Sequence, residues 1–338
     1  MRGSLERGWL DSPALAGNPL GDPARRELLV YLPPGYGAGG RRYPAVYFLH
    51  GFGSGVGSWT SFSGFVPTVP ERLDRLVAEG VVPPCLGVFV DGWTALGGTQ
   101  WIDSEAVGRY GTYVARDVVA HVDGAFRTVP DRLGRAVAGR SSGGYGALAM
   151  GRSHGDVFAH LAAHCPDAGF EYCYLPDLPK AAGALLAHGD AADWYAAMLR
   201  RAAESKPGGE DFTTTSVLAM AAHYSPRPGS PLGLELPFEP ATGRLREEVW
   251  ARWLEHDPVR FVPRSAAAFR ELASVWIDCG TRDEFHLRWG ARMIAESLAA
   301  AGVEHVHEEY EGGHFGTAYR YEASLTWLVP RLTPGAGG

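Results

Sequence analysis

The sequence has few cysteines, few lysines and no long hydrophobic run, and each scarcity excludes a class of protein. Its 338 residues hold four cysteines without Cys-x-x-Cys spacing, so we expect reduced thiols in a core rather than a disulfide framework or a zinc site. The chain lacks the run of about 18 apolar residues that a membrane span needs. Its first residues, MRGSLERGWLDSPALAG, lack the apolar segment of a secretory signal, so the sequence predicts a cytoplasmic protein.

Positive charge is also scarce, since the formal net charge is −7. Such a surface does not attract nucleic acid or anionic membranes, and we expect neither as a partner. Of the 31 basic residues only Lys180 and Lys206 are lysines. We interpret the arginine excess as composition bias rather than as a phosphate-binding signal. With 46% hydrophobic and 20% charged residues, the chain can form a sizeable core.

What the sequence does contain is a regular alternation of predicted strands and helices. Most of the strands are apolar throughout, which is typical of a parallel sheet covered on both faces. Strands that alternate with helices form βαβ units, so we predict an α/β fold with a doubly wound, mostly parallel sheet. The predicted strands are 27–33, 44–50, 85–92, 135–141, 160–166, 273–280 and 305–312, and the predicted helices are 69–80, 111–126 and 290–303.

The alternation stops in one region, and this suggests a domain organisation. Residues 167–262 contain helical segments and the Pro/Gly-rich stretch YSPRPGSPLGLELPFEPATG, with no predicted strand of the main sheet. We therefore predict a core of residues 27–166 and 263–338. Residues 1–26 are predicted to be an N-terminal extension, and 167–262 a helical and irregular insertion that could serve as a lid.

Two serines stand among glycines in the stretch VAGRSSGGYGA. The nucleophile elbow Gly-x-Ser-x-Gly needs small residues two positions on either side of its serine, because strand and helix backbones pass close together there. Ser141 has Gly139 and Gly143 at these places, whereas Ser142 has Arg140 two positions before it. We expect Ser141, between a predicted strand and a helix, to be a nucleophile. The alternative is a glycine-rich structural turn.

A serine nucleophile needs a base, and the base needs an acid that orients it. Enzymes with this elbow follow the chain order Ser, then Asp or Glu, then His. The stretch WIDCGTRDEFH places Asp283 just after a predicted strand, and EEYEGGHFG places His314 after the last one. We expect His314 as the base and Asp283 as the acid, with Glu284 and Asp278 as alternative acids.

Attack on an ester carbonyl develops a negatively charged oxygen, which backbone N–H groups can stabilise. One such donor is expected from Ser142, the residue after the candidate nucleophile. The second is expected from the glycine-rich loop FLHGFGSG after an early strand, where Phe52 is the candidate and Gly53 the alternative. A glycine-rich connector is the structural alternative.

Three further residues are candidates for substrate contact. Trp101 and Asp103 follow a predicted strand on the side where α/β sites form, and Arg140 precedes the nucleophile. Core packing and bracing of the elbow are their alternative roles. His160 and His164 share a predicted strand and lie roughly 13 Å apart, too far for a common ion. We expect no metal and no cofactor.

The segments FLHGFGSG, GRSSGG, DCGTRDEF and GGHFG, with VYLPPGY near the start, together resemble the putative-esterase family of α/β hydrolases. That family includes S-formylglutathione hydrolases, feruloyl esterases and enterochelin-type esterases. The resemblance implies an α/β-hydrolase fold. It also implies Ser141, Asp283 and His314 as a catalytic triad, with Phe52 and Ser142 as oxyanion donors.

The resemblance covers about 27–165 and 273–330 and leaves the long insertion without a counterpart. It implies a serine hydrolase that cleaves carboxylic esters through an acyl-enzyme, with a small-molecule ester as substrate. An acyltransferase, a thioesterase or a peptidase on the same fold is the alternative, and a homo-oligomer stays open. A binding protein without activity is disfavoured, because no member of the triad is missing.

Overall fold

A computed structural model describes residues 1–206 and 208–332 of the chain. An eight-stranded sheet forms its centre, and a short two-stranded ribbon lies apart from it. The strands are β1 (Ser4–Asp11), β2 (Arg25–Leu32), β3 (Ala45–Leu49), β4 (Leu86–Val90), β5 (Asp103–Ser104), β6 (Gly108–Arg109), β7 (Arg135–Arg140), β8 (His160–His164), β9 (Ser274–Gly280) and β10 (His305–Tyr310).

The order across the central sheet is β1-β2-β4-β3-β7-β8-β9-β10, and the ribbon pairs β5 with β6. β2 runs antiparallel to both of its neighbours, and all the other neighbouring pairs of the sheet are parallel. This confirms the predicted mostly parallel sheet. The carboxyl ends of β3, β7, β8, β9 and β10 consequently meet at one edge.

Helices connect the strands and cover the sheet. They are α1 (Val69–Ala78), α2 (Tyr110–Thr112), α3 (Val119–Ala125), α4 (Ser142–Ser153), α5 (Phe170–Cys173), α6 (Leu178–Leu186), α7 (Ala191–Ala203), α8 (Asp211–Tyr224), α9 (Glu247–Glu255), α10 (Pro258–Arg264), α11 (Ala266–Arg270), α12 (Leu287–Ala300) and α13 (Arg320–Leu328). A π-helical stretch, Tyr113–Val118, joins α2 to α3 within the predicted helix 111–126.

Local sequence accounts for where these elements begin. α1 starts at a capping box, in which the Thr68 side chain accepts from the Glu71 N–H and the Glu71 carboxylate accepts from the Thr68 N–H. The apolar strands bury side chains on both faces of the sheet, so alternate residues of β3 belong to two separate cores. Helices α1 and α13 cover one core, while α4 and α12 cover the other. This arrangement explains why the strands are apolar throughout.

The N-terminal prediction is wrong. Residues 1–26 are not an extension outside the core, because β1 forms an edge strand that pairs with β2 along its whole length. Among the described residues between β8 and β9, in the segment predicted as an insertion, no strand joins the central sheet. Residue 207 of the predicted insertion and residues 333–338 of the predicted core lie outside the described residues.

The length and hydropathy of the helices show whether any of them could span a membrane. Within the part of the chain that the structure describes, none of the helices combines the length and the apolar character that a bilayer crossing requires.

Candidate active site

Five loops converge at the carboxyl edge of the sheet, and each carries a polar or backbone group of interest. Phe52 follows β3, Ser141 follows β7, Asp167 follows β8, Asp283 follows β9 and His314 follows β10. All of these except Asp283 line one cavity of about 660 Å³. Parallel strands place their carboxyl ends together, so residues far apart in the chain become neighbours here.

The backbone at Ser141 forms a strained turn between β7 and α4. Its φ of 59° and ψ of −125° are unusual for a residue with a side chain and cost on the order of 1–3 kcal/mol. A Cβ on Gly139 would lie 2.2 Å from the Gly143 carbonyl oxygen, and a Cβ on Gly143 would lie 2.0 Å from that of Leu49. The small residues on either side of Ser141 are therefore required by close backbone packing, as an elbow demands.

His314 and Asp283 form a buried hydrogen-bonded pair. The imidazole Nδ1 lies 2.8 Å from Asp283 Oδ2, and the Phe285 and Leu287 N–H groups donate to Oδ1. Burial disfavours a charged imidazole, but the Asp283 bond and the nearby Cys165 thiol outweigh it and raise the pKa of His314 to about 9. Burial likewise disfavours a charged carboxylate, yet the His314 bond and the two N–H donors lower the pKa of Asp283.

The two alternative acids have other roles. Asp278 accepts from His164 Nδ1 at 2.8 Å, from Arg320 Nε at 3.0 Å and from a tryptophan, so it links the sheet to α13 away from the cavity. Glu284 accepts the backbone N–H of His314 at 2.6 Å and so holds the loop rather than the ring. Asp283 is the carboxylate that contacts the imidazole.

The Ser141 hydroxyl points to a carboxylate that the sequence analysis did not single out. Its Oγ donates to Asp167 Oδ1 at 3.2 Å. Within residues 1–206 and 208–332, no hydrogen bond joins Ser141 Oγ to His314, although both side chains line the cavity. Because Nδ1 of His314 is engaged by Asp283, Nε2 is the ring nitrogen left for Ser141.

Two backbone N–H groups near Ser141 are candidates for oxyanion donors. Ser142 is the first residue of α4, where a backbone N–H has no acceptor within the helix. The N–H of Phe52 has no acceptor among the described residues, whereas that of Gly53 donates to the Gly97 carbonyl at 2.8 Å. Between the two candidates left open in this loop, Phe52 has the uncommitted donor.

Two of the predicted substrate contacts are wrong. Trp101 is fully buried outside the cavity, its indole N–H donates to the His50 carbonyl, and its ring packs against Gly146. It supports the loop that carries Phe52. Asp103 also lies away from the cavity, where its carboxylate accepts from the Thr112 N–H and hydroxyl at the start of the helical stretch. A position shortly after the end of a strand was therefore not enough to predict that either residue lines the cavity.

Arg140 does line the cavity, but its guanidinium is engaged in holding the loop opposite. Nη1 donates to the His314 carbonyl at 2.7 Å and to Thr317 Oγ1 at 3.3 Å. Much of the remaining wall comes from the segment between β8 and β9. The lining residues from that segment include Tyr172, Tyr174, Pro176, Asp177, Lys180, Phe212, Thr213, Ser216 and Met220.

Two cysteines lie near the His314 imidazole, and the sequence analysis did not predict them as neighbours of the site. All four cysteines are free and buried, as expected, but the thiols of Cys165 and Cys279 lie within 4.8 Å of each other and of an Asp283 oxygen. The proximity of the two thiols lowers the pKa of Cys165 and raises that of Cys279. Both oxygens of Asp283 already accept hydrogen bonds from other groups. We therefore interpret the two cysteines as packing beside His314 rather than as part of a metal site.

Comparison with known proteins places this geometry in a family. A family model described as "Putative esterase" matches residues 23–331, nearly the whole chain. The chain belongs to this family. Among curated proteins it is similar to esterase Rv1288 of Mycobacterium tuberculosis, with 24% identity over 91% of this chain and 57% of the relative. The chain thus spans a little over half the length of the curated relatives it matches.

Solved structures share the fold. A ferulic acid esterase aligns with a TM-score of 0.61 and 20% identity over 98% of both chains. An S-formylglutathione hydrolase from Agrobacterium tumefaciens aligns with a TM-score of 0.55 and 15% identity over 98% of this chain and 96% of the other. These alignments identify the α/β-hydrolase architecture predicted from the sequence.

Proposed function

We propose that this protein is a serine esterase that cleaves carboxylic esters through an acyl-enzyme. Ser141 is the nucleophile, His314 the general base and Asp283 the residue that orients the base. The 2.8 Å contact between His314 Nδ1 and the buried Asp283 carboxylate, beside a strained serine elbow, carries the proposal. Family membership supports the same class of reaction.

The first step is attack on the ester carbonyl. The Ser141 hydroxyl, now bonded to Asp167, turns toward His314 Nε2, which takes its proton as Oγ bonds to the carbonyl carbon. Asp283 keeps the imidazole in the tautomer with hydrogen on Nδ1 and stabilises the imidazolium. Apo enzymes commonly hold this serine–histidine contact loose until substrate binds, so the present orientation of the hydroxyl is compatible with this step.

The negative oxygen that forms in this step faces the two N–H donors. The Phe52 and Ser142 N–H groups stabilise it, and loss of one such donor costs about 3 kcal/mol. The positive end of the α4 helix dipole lies at the same place, since Ser142 opens that helix.

Collapse of this intermediate breaks the bond to the alcohol, which leaves with the proton from His314. A water molecule then attacks the acyl-enzyme while His314 takes one of its protons, and Oγ of Ser141 leaves with that proton as the acid is released. The enzyme returns to its starting state without a cofactor in either step.

The cavity sets the size of the substrate. We propose that the segment predicted as an insertion, residues 167–262, forms the acyl or alcohol wall, where Phe212 of α8 meets Phe52 with ring centroids 5.6 Å apart. A volume of about 660 Å³ suits a small ester rather than a long lipid chain.

Hydrolysis of 4-nitrophenyl acetate and butyrate tests the proposal. We expect wild-type turnover, and a loss of roughly 10⁴-fold or more in Ser141→Ala, because the nucleophile is removed while the fold is kept.

Ser142→Ala is the matched control, because it keeps the backbone N–H and loses only a hydroxyl. Its activity should stay within about tenfold of wild type. Equal activity in wild type and Ser141→Ala, with both proteins folded by circular dichroism, would remove Ser141 from the mechanism.

A further inference from the structure

Asp167 is a buried carboxylate at the nucleophile that ester cleavage by a Ser-His-Asp triad does not require. It follows β8, lines the cavity and is 7% exposed. Its Oδ2 accepts the hydroxyls of Ser142 and Tyr174, each at 2.8 Å, and lies 3.4 Å from the amide of Gln100. Among the described residues, its Oδ1 accepts the Ser141 hydroxyl alone.

Among the described residues, no lysine or arginine forms an ion pair with Asp167. Burial raises the pKa of its carboxyl, and the charge of His314, a ring already paired with Asp283, offsets this only in part. The two basic side chains on the cavity wall are committed elsewhere, since Arg140 holds the His314 loop and Lys180 pairs with Asp177 at 3.0 Å.

Acylation of Ser141 changes the surroundings of Asp167. In the acyl-enzyme Oγ is an ester oxygen without hydrogen, so Oδ1 loses its one donor while remaining buried. The negative oxygen of each tetrahedral intermediate also forms in the same small space, and two like charges there repel. A positively charged donor on the acyl group would replace the lost hydrogen bond to Asp167 and reduce the repulsion between the two negative charges.

We propose that the site selects acyl groups with an ammonium on the carbon next to the carbonyl, which Asp167 Oδ1 binds. This specificity rests on the proposed esterase function. The nitrogen on that carbon stays close to Oγ, and so within reach of the oxygen that Ser141 contacts now. A hydroxyl on the same carbon supplies a donor without the charge and is expected to rank between ammonium and hydrogen. The preferred substrates are therefore aminoacyl esters.

A set of three 2-naphthyl esters tests the inference: propanoate, 2-hydroxypropanoate and 2-aminopropanoate, assayed at about pH 6.5, where the amine is protonated. The ratio of kcat/KM for the amino ester to that for the propanoate is divided by the ratio of their hydroxide-catalysed rates, which removes intrinsic reactivity. We expect this corrected ratio to be at least tenfold in wild type.

Asp167→Asn should lower the corrected ratio at least tenfold, because it removes the charge and keeps an amide oxygen. The double variant Asp177→Asn/Lys180→Gln is the matched control, since it removes a carboxylate and its paired ammonium from the same cavity but not from the nucleophile. Its ratio should equal that of wild type.

Three outcomes overturn the inference. A corrected wild-type ratio near one does so without the need for any variant, while propanoate turnover still supports the esterase. An equal loss on all three esters in folded Asp167→Asn would make Asp167 a structural or general catalytic residue. Absence of wild-type activity on every ester, at pH values up to about 9 where His314 becomes neutral, removes the esterase proposal and the specificity with it.

Discussion

At the scale of single residues, the proposed chemistry depends on how Asp283 sets the protonation of His314. Burial alone would lower the pKa of the His314 imidazole. The hydrogen bond to the Asp283 carboxylate outweighs burial, and the pKa is raised to about 9. A base works only when it is neutral, so the rate should rise with pH through the pKa of the imidazole. The pH profile therefore reports on the pair directly.

Asp283→Asn should lower kcat/KM roughly 10³–10⁴-fold and move the acid limb of its pH profile to lower pH, because the imidazolium loses its carboxylate partner. A pH–rate profile with a short-chain 4-nitrophenyl ester measures both effects.

The control for that profile is Asp278→Asn. This residue is another buried carboxylate bonded to a histidine, but it lies away from the cavity, and the acid limb should stay where it is. An acid limb that is identical in wild type and Asp283→Asn would contradict the assigned role of Asp283.

Sequence reasoning works at this scale where a local pattern fixes position. Asp283 and His314 could be predicted to share one edge because each follows a strand of a parallel sheet. Trp101 also follows a strand, yet it turns into the core, and the chain between β4 and α2 carries no periodicity that would reveal this. Asp167 could have been found by the same strand-end rule, since it comes three residues after β8.

At the scale of elements, the strand–turn–helix unit of β7 and α4 is what presents the serine. The start of α4 packs closely against the end of β3, so that Gly143 lies against the carbonyls of Leu49 and His50. The conformation of Ser141 is maintained by this packing rather than by local preference. The turn at Ser141 therefore bears on the stability of the protein as well as on the proposed chemistry.

Gly143→Ala should destabilise the protein by roughly 3 kcal/mol, because its Cβ would lie 2.0 Å from the Leu49 oxygen and the strand or helix must shift. Urea unfolding followed by circular dichroism measures the change.

Gly124→Ala provides the comparison within another helix. A Cβ there meets nothing within 4 Å, so the change should stabilise α3 by about 0.5–1 kcal/mol. Equal unfolding midpoints for the two variants would show that close packing at the elbow is not what requires glycine.

The strands differed in how clearly the sequence pattern predicted them. Most of the seven predicted strands are apolar throughout because both sheet faces are covered, and that pattern is strong. β1 is an edge strand with the sequence SLERGWLD, and its side chains are largely exposed, so neither an apolar run nor clean alternation marked it. Its place is set by pairing with β2, which is a tertiary contact.

At the scale of the whole molecule, the site is a product of sheet topology. Ser141 and His314 are distant in sequence, and they face one cavity because β7 and β10 lie in one parallel sheet with their carboxyl ends together. The segment between β8 and β9 then closes part of that edge with α8. The core was predictable from strand and helix patterns, whereas the shape of the wall depends on packing of helices that no pattern in the sequence specifies.

Labelling with a fluorophosphonate, followed by peptide mapping in a mass spectrometer, tests the central claim most directly. These reagents bond covalently to a serine that a neighbouring base has activated. The account predicts a single adduct on Ser141 in wild type, the same adduct in Ser142→Ala, and no adduct in His314→Ala under the same conditions. An adduct on Ser142 or another residue, or no adduct on the folded wild-type protein, would contradict it.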